Sequence, residues 1–140
     1  MTIEILHQIF LRSNSVCTDT RKVQKNDLFF ALKGENFNGN LFAQEAIAKG
    51  ASHAIIDDEN YKTTEGCILV DDVLSALQQL AAFHRRYLNI KILALTGSNG
   101  KTTTKELLHK VLSKKFKTIA TRGNLNNHIG VPLTLLTMNN

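Results

Sequence analysis

The segment 91–114 constrains the fold of this chain more than any other, because an apolar run there leads through a glycine turn into a helical pattern. Residues 91–96 (KILALT) have the length and apolar content of a buried strand. Gly97 and Gly100 bracket the turn, and apolar residues recur at helical spacing over 101–114. We expect the backbone N–H groups of such a turn, aided by the helix dipole, to bind a polyphosphate.

Two side chains at the start of the predicted helix suit a bound nucleotide. Lys101 can reach the β and γ phosphates, and the Thr102 hydroxyl can ligate Mg²⁺. The loop is two residues shorter than the pattern GxxxxGKT, since Leu95 stands five positions before Gly100. The alternative is an ordinary helix start with threonine hydroxyls as caps and Lys101 as a solvated charge. The candidate nucleotide-binding residues, with Lys101 and Thr102 also the candidate catalytic pair, are Gly97, Ser98, Asn99, Gly100, Lys101, Thr102 and Thr103.

The rest of the chain alternates between strand and helix patterns, which predicts a parallel or mixed α/β sheet covered on its faces. The longest helical stripe runs from Val73 to Leu88 and includes His84, which we interpret as a packed core histidine rather than a ligand. We place a domain boundary near Asn89, which gives one unit over 1–89 and the start of another over 90–140. Helices are predicted over 2–12, 41–49 and 73–88, strands over 28–32, 53–57, 67–70 and 117–121, and a loop over 33–40.

The net charge of +5 is divided unevenly along the chain. Residues 1–90 carry 9 Lys and Arg against 11 Asp and Glu, whereas residues 91–140 carry 8 against the single Glu106. A basic segment of this kind can bind nucleic acid, bind phosphorylated small molecules, or belong to a domain whose acidic residues lie elsewhere. Phe116 is its only aromatic residue, and no helix-turn-helix, RNA-recognition or zinc pattern occurs, so we predict no nucleic-acid partner.

Cysteine usage and hydropathy indicate the compartment. Cys17 and Cys67 lie fifty residues apart without a CxxC pair, which favours two free thiols in a reducing environment. No apolar run approaches the roughly 18 residues needed to cross a bilayer. The amino terminus lacks the basic lead of a signal peptide. These observations predict a soluble cytoplasmic protein without membrane insertion.

Several short motifs occur in a fixed order along the chain. They read DTR at 19–21, NDLFFAL at 26–32, NG at 38–39, GA at 50–51 and TGSNGKTT at 96–103. In this order they resemble the Mur ligase family of peptidoglycan synthesis, whose members carry DSR, GDLFVAL, DG, GA and TGSNGKTT or a near variant. Thr20 keeps the hydroxyl of the family's serine. Asn38 and Asn40 replace the usual aspartate and a frequent histidine, which preserves the turn chemistry without the charge.

The resemblance extends to one branch of that family. Lys105, Glu106 and the run GNLNNHIGVP at 123–132 are similar to the ligases that add D-alanyl-D-alanine (D-Ala-D-Ala) to UDP-N-acetylmuramoyl-tripeptide. This implies an enzyme that uses ATP and Mg²⁺, with Thr102 as a metal ligand, to phosphorylate the tripeptide carboxylate before the D-Ala-D-Ala amine attacks the acyl phosphate. It also implies an α/β fold in which a small mixed-sheet N-terminal domain precedes the beginning of a P-loop-type parallel α/β ATPase domain, in a protein expected to be monomeric.

The same resemblance implies a set of substrate-binding residues. Thr18, Thr20 and the loop 35–37 match the family's uridine-contact positions, and Arg21 is separately a plausible partner for the diphosphate. Arg21 could equally form a salt bridge within its domain, and the asparagines could be ordinary loop formers. The implied residues are Thr18, Thr20, Arg21, Glu35, Asn36, Phe37, Asn124, Asn126 and Asn127.

Two alternative proteins share parts of this pattern. A folylpolyglutamate synthase would share the short phosphate loop but lacks the motifs found before it here. A scaffold without catalysis is disfavoured by the intact Lys101 and Thr102. Because a nucleotide domain that begins near Ile90 normally needs more than about a hundred residues, we expect these 140 residues to be an N-terminal portion that is inactive in ligation.

Overall fold

The computed structural model describes residues 1–121, 123 and 125–139. Short 3₁₀ turns at Thr20–Lys22, Gly39–Phe42 and Glu59–Tyr61 join some of the helices and strands. The elements are α1 (Ile3–Arg12), β1 (Val16–Cys17), β2 (Leu28–Phe30), β3 (Lys33–Gly34), β4 (Phe37–Asn38), α2 (Ala43–Ala48), β5 (His53–Ile56), β6 (Cys67–Leu69), α3 (Val73–Leu88), α4 (Lys101–Leu112) and α5 (Gly130–Leu135).

Four strands form a parallel sheet in the order β1-β2-β5-β6. Its central strands are buried on both faces, as is typical of parallel sheets covered by helices. Side chains alternate across the sheet, so Leu28 and Phe30 enter one core while Phe29 enters the other. A separate hairpin pairs β3 with β4 in antiparallel fashion.

The larger core lies between the sheet and the helices α1 and α3. The predicted stripe of α3 is confirmed, since Val73, Leu77, Leu80, Ala81 and His84 are all buried. Leu6 and Phe10 of α1 pack against it, as the apolar spacing of that helix requires. The helix ends at Leu88, where Asn89 takes the left-handed conformation with φ 50°.

The smaller core lies on the opposite face, beneath α2. Small side chains dominate it, and Ala43, Ala46 and Ala54 are fully buried. They let α2 approach the sheet closely. Cys67 lies in the same core and Cys17 is also buried, and both are free thiols, as predicted. Burial chiefly raises the pKa of the Cys17 thiol.

The α/β class and the main elements of residues 1–89 are confirmed, but two predicted strands are wrong. Residues 91–96 and 117–121 form no strand in the described part of the chain. A strand needs a neighbour for its N–H and C=O groups. Ile92 and Leu93, which were expected to be buried, are 41% and 69% exposed.

The strand β1, the β3–β4 hairpin and the helix α5 were not predicted. The segment expected as a loop over 33–40 contains the β3–β4 hairpin, and the expected helix over 41–49 is a 3₁₀ turn followed by α2. Farther along, α5 packs against α3 and places Leu136 in the larger core. The division into units at Asn89 stays a prediction. None of the helices within the described ranges is long and apolar enough to cross a membrane.

Candidate functional site

An open pocket of about 570 Å³ lies at the carboxyl end of β1. This is the edge of a parallel sheet at which ligands ordinarily bind. Its lining combines hydroxyl, charged and aromatic side chains from four separate parts of the chain. The lining residues are Thr18, Asp19, Thr20, Arg21, Phe29, Phe37, Phe42 and Glu45.

Asp19 fixes the guanidinium of Arg21 at the rim of this pocket. Its two carboxylate oxygens accept from Arg21 Nε at 2.9 Å and Nη2 at 2.7 Å, and one also accepts from the Arg21 backbone N–H at 3.0 Å. These hydrogen bonds hold the pKa of Asp19 at about 2. The Arg21 side chain is 84% exposed, so its remaining donors face solvent. It therefore forms a local salt bridge while its outer edge stays available to an anion.

Aromatic rings form another part of the pocket lining, the aromatic wall of Phe37 and Phe42. The rings of Phe37 and Phe42 are stacked, with centroids 5.4 Å apart and planes 12° from parallel. Phe37 is 52% exposed, so about half of its surface is accessible to a ligand in the pocket. Phe29 reaches the pocket from β2, where most of its surface belongs to the smaller core.

Lys49 ties α2 to the turn that carries Thr20. Its Nζ donates to the Thr20 carbonyl at 3.2 Å and to Glu45 Oε1 at 2.6 Å. Glu45 itself lines the pocket. The i,i+4 spacing of Glu45 and Lys49 is typical of such a pair, but nothing in the sequence indicated that Glu45 lines a pocket.

The structure brings together three of the predicted uridine-contact residues, Thr18, Thr20 and Phe37, with Arg21, the predicted diphosphate partner. Glu35 and Asn36 form the exposed two-residue turn between β3 and β4 and do not line the pocket. Asp19 was noted only as part of the DTR motif and was not predicted as a site residue. Phe29, Phe42 and Glu45 were missed because they belong to segments whose patterns indicate only a buried strand and a helix.

The phosphate loop has the glycine conformations that its sequence requires. Gly97 has φ 147° and Gly100 has φ 75°, and both values are costly for residues with a Cβ. A Cβ on Gly100 would meet nothing within 4 Å. The glycines are thus needed for backbone conformation, and space for a Cβ is available.

The helix α4 begins at Lys101, directly after the loop. Its N-cap is Gly100, which has no side chain to cap the helix, so the first-turn N–H groups stay open to an anion. This contradicts the alternative of a start capped by threonine hydroxyls, because Thr102 and Thr103 lie exposed inside the first turn. Lys101 Nζ folds back onto the carbonyl oxygens of Gly97 and Ser98, and Asn99 lies exposed between the two glycines.

Thr102 fits the role of a magnesium ligand in a site completed by phosphates. Mg²⁺ prefers oxygen ligands and commonly takes one or two from the protein, the rest coming from phosphates and water. Thr102 presents an exposed hydroxyl one residue after Lys101. No group of three or more His, Cys, Asp or Glu within the described residues could hold a metal alone. The residues present therefore suit a metal that arrives with a nucleotide.

The predicted substrate-binding asparagines precede α5 in the chain, and one of those in the described residues accepts hydrogen bonds at the start of that helix. Asn127 Oδ1 accepts from the backbone N–H groups of Ile129 at 3.2 Å and Gly130 at 2.7 Å, at the start of α5. Asn126 is exposed. Asn124 lies outside the described residues.

A parallel α/β sheet with a polar and aromatic pocket at its carboxyl edge, together with a glycine loop that opens a helix farther along the chain, defines a nucleotide-binding α/β protein. The chain belongs to the Mur ligase family. The model described as "Mur ligase family, catalytic domain" matches residues 12–85, and that described as "Mur ligase middle domain" matches residues 95–140.

Two relatives of this chain from different bacteria have the same name. A Bacillus subtilis relative called UDP-N-acetylmuramoyl-tripeptide–D-alanyl-D-alanine ligase is 46% identical over 127 residues, which are 89% of this chain and 28% of the relative. An Escherichia coli relative of the same name is 44% identical over 123 residues, covering 88% of this chain and 27% of its own length. The chain therefore spans less than a third of these relatives.

Solved structures agree with this relationship. The crystal structure of MurF from Acinetobacter baumannii superposes with a TM-score of 0.85 at 38% identity, covering 99% of this chain and 33% of that one. MurF ligase from Thermotoga maritima in complex with ADP gives a TM-score of 0.82 at 32% identity, over 91% of this chain and 29% of that one.

Proposed function

We propose that this chain carries the UDP-binding pocket and the ATP phosphate loop of a ligase that adds D-Ala-D-Ala to UDP-N-acetylmuramoyl-tripeptide. The observation that carries the proposal is the meeting of Thr18, Thr20, Arg21 and Phe37, from distant motifs, around one pocket. The relatives named for this reaction supply its substrates. The monomeric state and the cytoplasmic location expected from the sequence are part of the same proposal.

The pocket suits a uridine diphosphate. Phe37 and Phe42 present an apolar aromatic wall against which a planar base can stack. The hydroxyls of Thr18 and Thr20 can hydrogen-bond polar edges of the base or ribose. Arg21 offers unpaired donors on its exposed side to the diphosphate, while Asp19 keeps the guanidinium in place.

The loop over 97–103 suits the phosphates of ATP. Its backbone N–H groups and the open first turn of α4 provide positive dipole ends. Lys101 is held by the carbonyl oxygens of Gly97 and Ser98, and exchanging these for phosphate oxygens requires a change of side-chain conformation only. Thr102 would ligate Mg²⁺ bound with the nucleotide. Phosphorylation of a carboxylate supplies the leaving group that amide formation needs, and the residues of this chain would position the phosphates and neutralise their charge.

Calorimetric titration of the 140-residue chain with UDP-N-acetylmuramoyl-tripeptide tests the proposal. We expect saturable binding in which Arg21→Ala raises Kd about tenfold or more, because a charge-assisted contact to phosphate is lost. Thr20→Val should weaken binding to a smaller extent. Arg85→Ala is the matched control, since it removes an exposed guanidinium on α3 that does not line the pocket, and it should leave this Kd unchanged. Absence of binding at millimolar ligand, or equal losses in the Arg21 and Arg85 variants, would contradict the proposal.

A further inference from the structure

A carboxylate with several partners lies directly after β5, outside the pocket. The side chain of Asp57 is 8% exposed. Its Oδ1 accepts from Lys33 Nζ and from Asn40 Nδ2, both at 2.8 Å, and its Oδ2 accepts from the Val73 N–H at 3.4 Å. Burial opposes the charged form, but these hydrogen bonds and the lysine charge keep the pKa of Asp57 below its usual value.

The partners of Asp57 hold the two segments that carry the aromatic wall. Lys33 is the first residue of the β3–β4 hairpin and pairs with Asn38 in the strand register. Asn40 is 1% exposed and donates to Asn38 Oδ1 at 2.9 Å as well as to Asp57. The backbone N–H of Asp57 returns a hydrogen bond to Asn40 Oδ1 at 3.1 Å. Asn40 thus sits between Phe37 and Phe42 in the chain and is anchored at both ends of its amide.

Apolar burial does little to fix this hairpin. Its residues from 33 to 37 are exposed, and Phe37 contacts the rest of the wall through the stacked Phe42. The turn behind it is tight, since a Cβ on Gly39 would lie 2.4 Å from the Leu32 carbonyl oxygen. Phe42 packs against the smaller core, whereas the Phe37 end of the wall is tied to the sheet by the Gly39 N–H bond to the Leu32 carbonyl and by the side-chain contacts of Asp57 with Lys33 and Asn40.

We propose that Asp57 is a positioning residue for the pocket, acting through Lys33 and Asn40 to hold Phe37 and Phe42 as one wall for the ligand. This inference rests on the proposed function, because the ligand is taken to be a uridine diphosphate. Asp57 does not touch that ligand. It keeps the hairpin in one position in the free protein, so that binding does not have to include the entropic cost of ordering the hairpin.

The test compares Asp57→Asn with Asp58→Asn, using uridine 5′-diphosphate as the probe. Both variants remove one negative charge near Lys33, but Asp58 caps the turn at Glu59–Tyr61 and does not contact the hairpin. We expect Asp57→Asn to raise Kd about tenfold at a temperature where the chain is fully folded, and Asp58→Asn to leave it unchanged. Lys33→Met provides a second variant, because it removes the cationic partner of Asp57 while the Asn40 amide and the Val73 N–H still donate to that carboxylate, and it should also raise Kd.

A double-mutant cycle separates positioning from general stability. If Asp57 acts through the wall, its substitution has no further effect on Kd once Phe37→Ala is present. The inference would be overturned if the effects of Asp57→Asn and Phe37→Ala on Kd multiply in the double variant. It would also be overturned if a folded Asp57→Asn chain has the wild-type Kd.

The contact between the Phe37 and Phe42 rings, followed as a nuclear Overhauser effect without ligand, gives a readout independent of binding. It should weaken in Asp57→Asn and persist in Asp58→Asn, and the same contact in both variants would overturn the inference. A wild-type chain that fails to bind uridine 5′-diphosphate would overturn the proposed function, while the ring contact would still decide the role of Asp57 in the wall.

Discussion

At the scale of single residues, two buried histidines connect three segments of the chain. His84 Nε2 lies 2.9 Å from the Met138 carbonyl oxygen, which can only accept, so this nitrogen carries a proton. In the neutral ring His84 Nδ1 then accepts from His7 Nε2 at 3.1 Å. The rings are 1% and 3% exposed. Burial, and secondarily the neighbouring His84, lower the pKa of His7.

This histidine pair predicts a loss of stability in acid. Because the pKa of His7 is lower in the folded than in the unfolded chain, the unfolded chain binds more protons, and the free energy of unfolding falls as pH drops below about 6.5. Urea unfolding at pH 7.5 and 5.5 measures the difference. His7→Gln should reduce it, and His128→Gln, which changes an exposed ring, should not. An unchanged difference in His7→Gln would contradict the assignment.

Gly39 gives a second prediction at this scale. A Cβ there would lie within 2.8 Å of three backbone atoms of Ala31 and Leu32, which cannot move aside as a flexible side chain could. Gly39→Ala should lower the free energy of unfolding by about 1–3 kcal/mol, the usual range for overpacking, or more. Gly34→Ala is the control, since its Cβ would have 3.9 Å to the nearest atom. Denaturant unfolding of both variants checks the contrast.

At the scale of elements, the helix α5, which the sequence did not predict, packs against α3. Pro132 lies within its first turn, where a missing N–H is tolerated, and the surrounding sequence otherwise resembles a loop. Gln78 on α3 donates to the His128 carbonyl at 3.0 Å just before the helix. Leu136, which follows the helix, is 7% exposed in the core formed by α1 and α3.

Truncation of Leu136 tests this packing. Leu136→Ala should lower the free energy of unfolding by about 2–5 kcal/mol, the range for buried leucines. Leu107→Ala on α4 is the matched control, because that leucine is 60% exposed and should change stability little. Equal effects in the two variants would show that α5 does not pack on the larger core in solution.

The sequence predicted correctly those elements whose apolar spacing within one segment specifies the buried face. The α3 stripe and the α1 spacing specify which face is buried, and both agree with the structure. The strand at 91–96 depends on a neighbour that the pattern cannot supply, and it does not form. The β3–β4 hairpin was not predicted because residues 33–38 lack the alternation of apolar and polar residues that indicates a strand. In the pocket, Thr20 and Arg21 were recognisable from a motif, whereas Phe42 and Glu45 are brought there by the placement of α2.

At the scale of the whole molecule, burial and charge differ between the two halves of the sequence. The two cores draw on residues up to Ala81 and on Leu136. Between them, apolar side chains such as Leu93, Leu107, Val111 and Phe116 are more than half exposed. The basic excess of this region is partly used internally, since Lys105 Nζ donates to the Thr121 carbonyl at 2.5 Å and pairs with Glu106 at 3.1 Å.

Amide hydrogen exchange should reproduce this division. The amides of β2 and β5 lie in the buried parallel sheet and should exchange slowly, by opening of the whole core. The amides of 91–100 have no strand partner in the described structure and should exchange faster by orders of magnitude. Mass spectrometry of peptides from both regions provides the measurement. Protection of 91–96 equal to that of β2 would indicate that this segment pairs in solution.

The shared core of α1 and Leu136 has a consequence for the order of events during synthesis. Leu6 and Leu136 belong to one cluster although 130 positions separate them. A chain made from its amino terminus can pair β1, β2, β5 and β6 early, but it cannot close this cluster until the segment with Leu136 has been made. The apolar surface of α1 and α3 near that position therefore stays uncovered until the segment with Leu136 has been made.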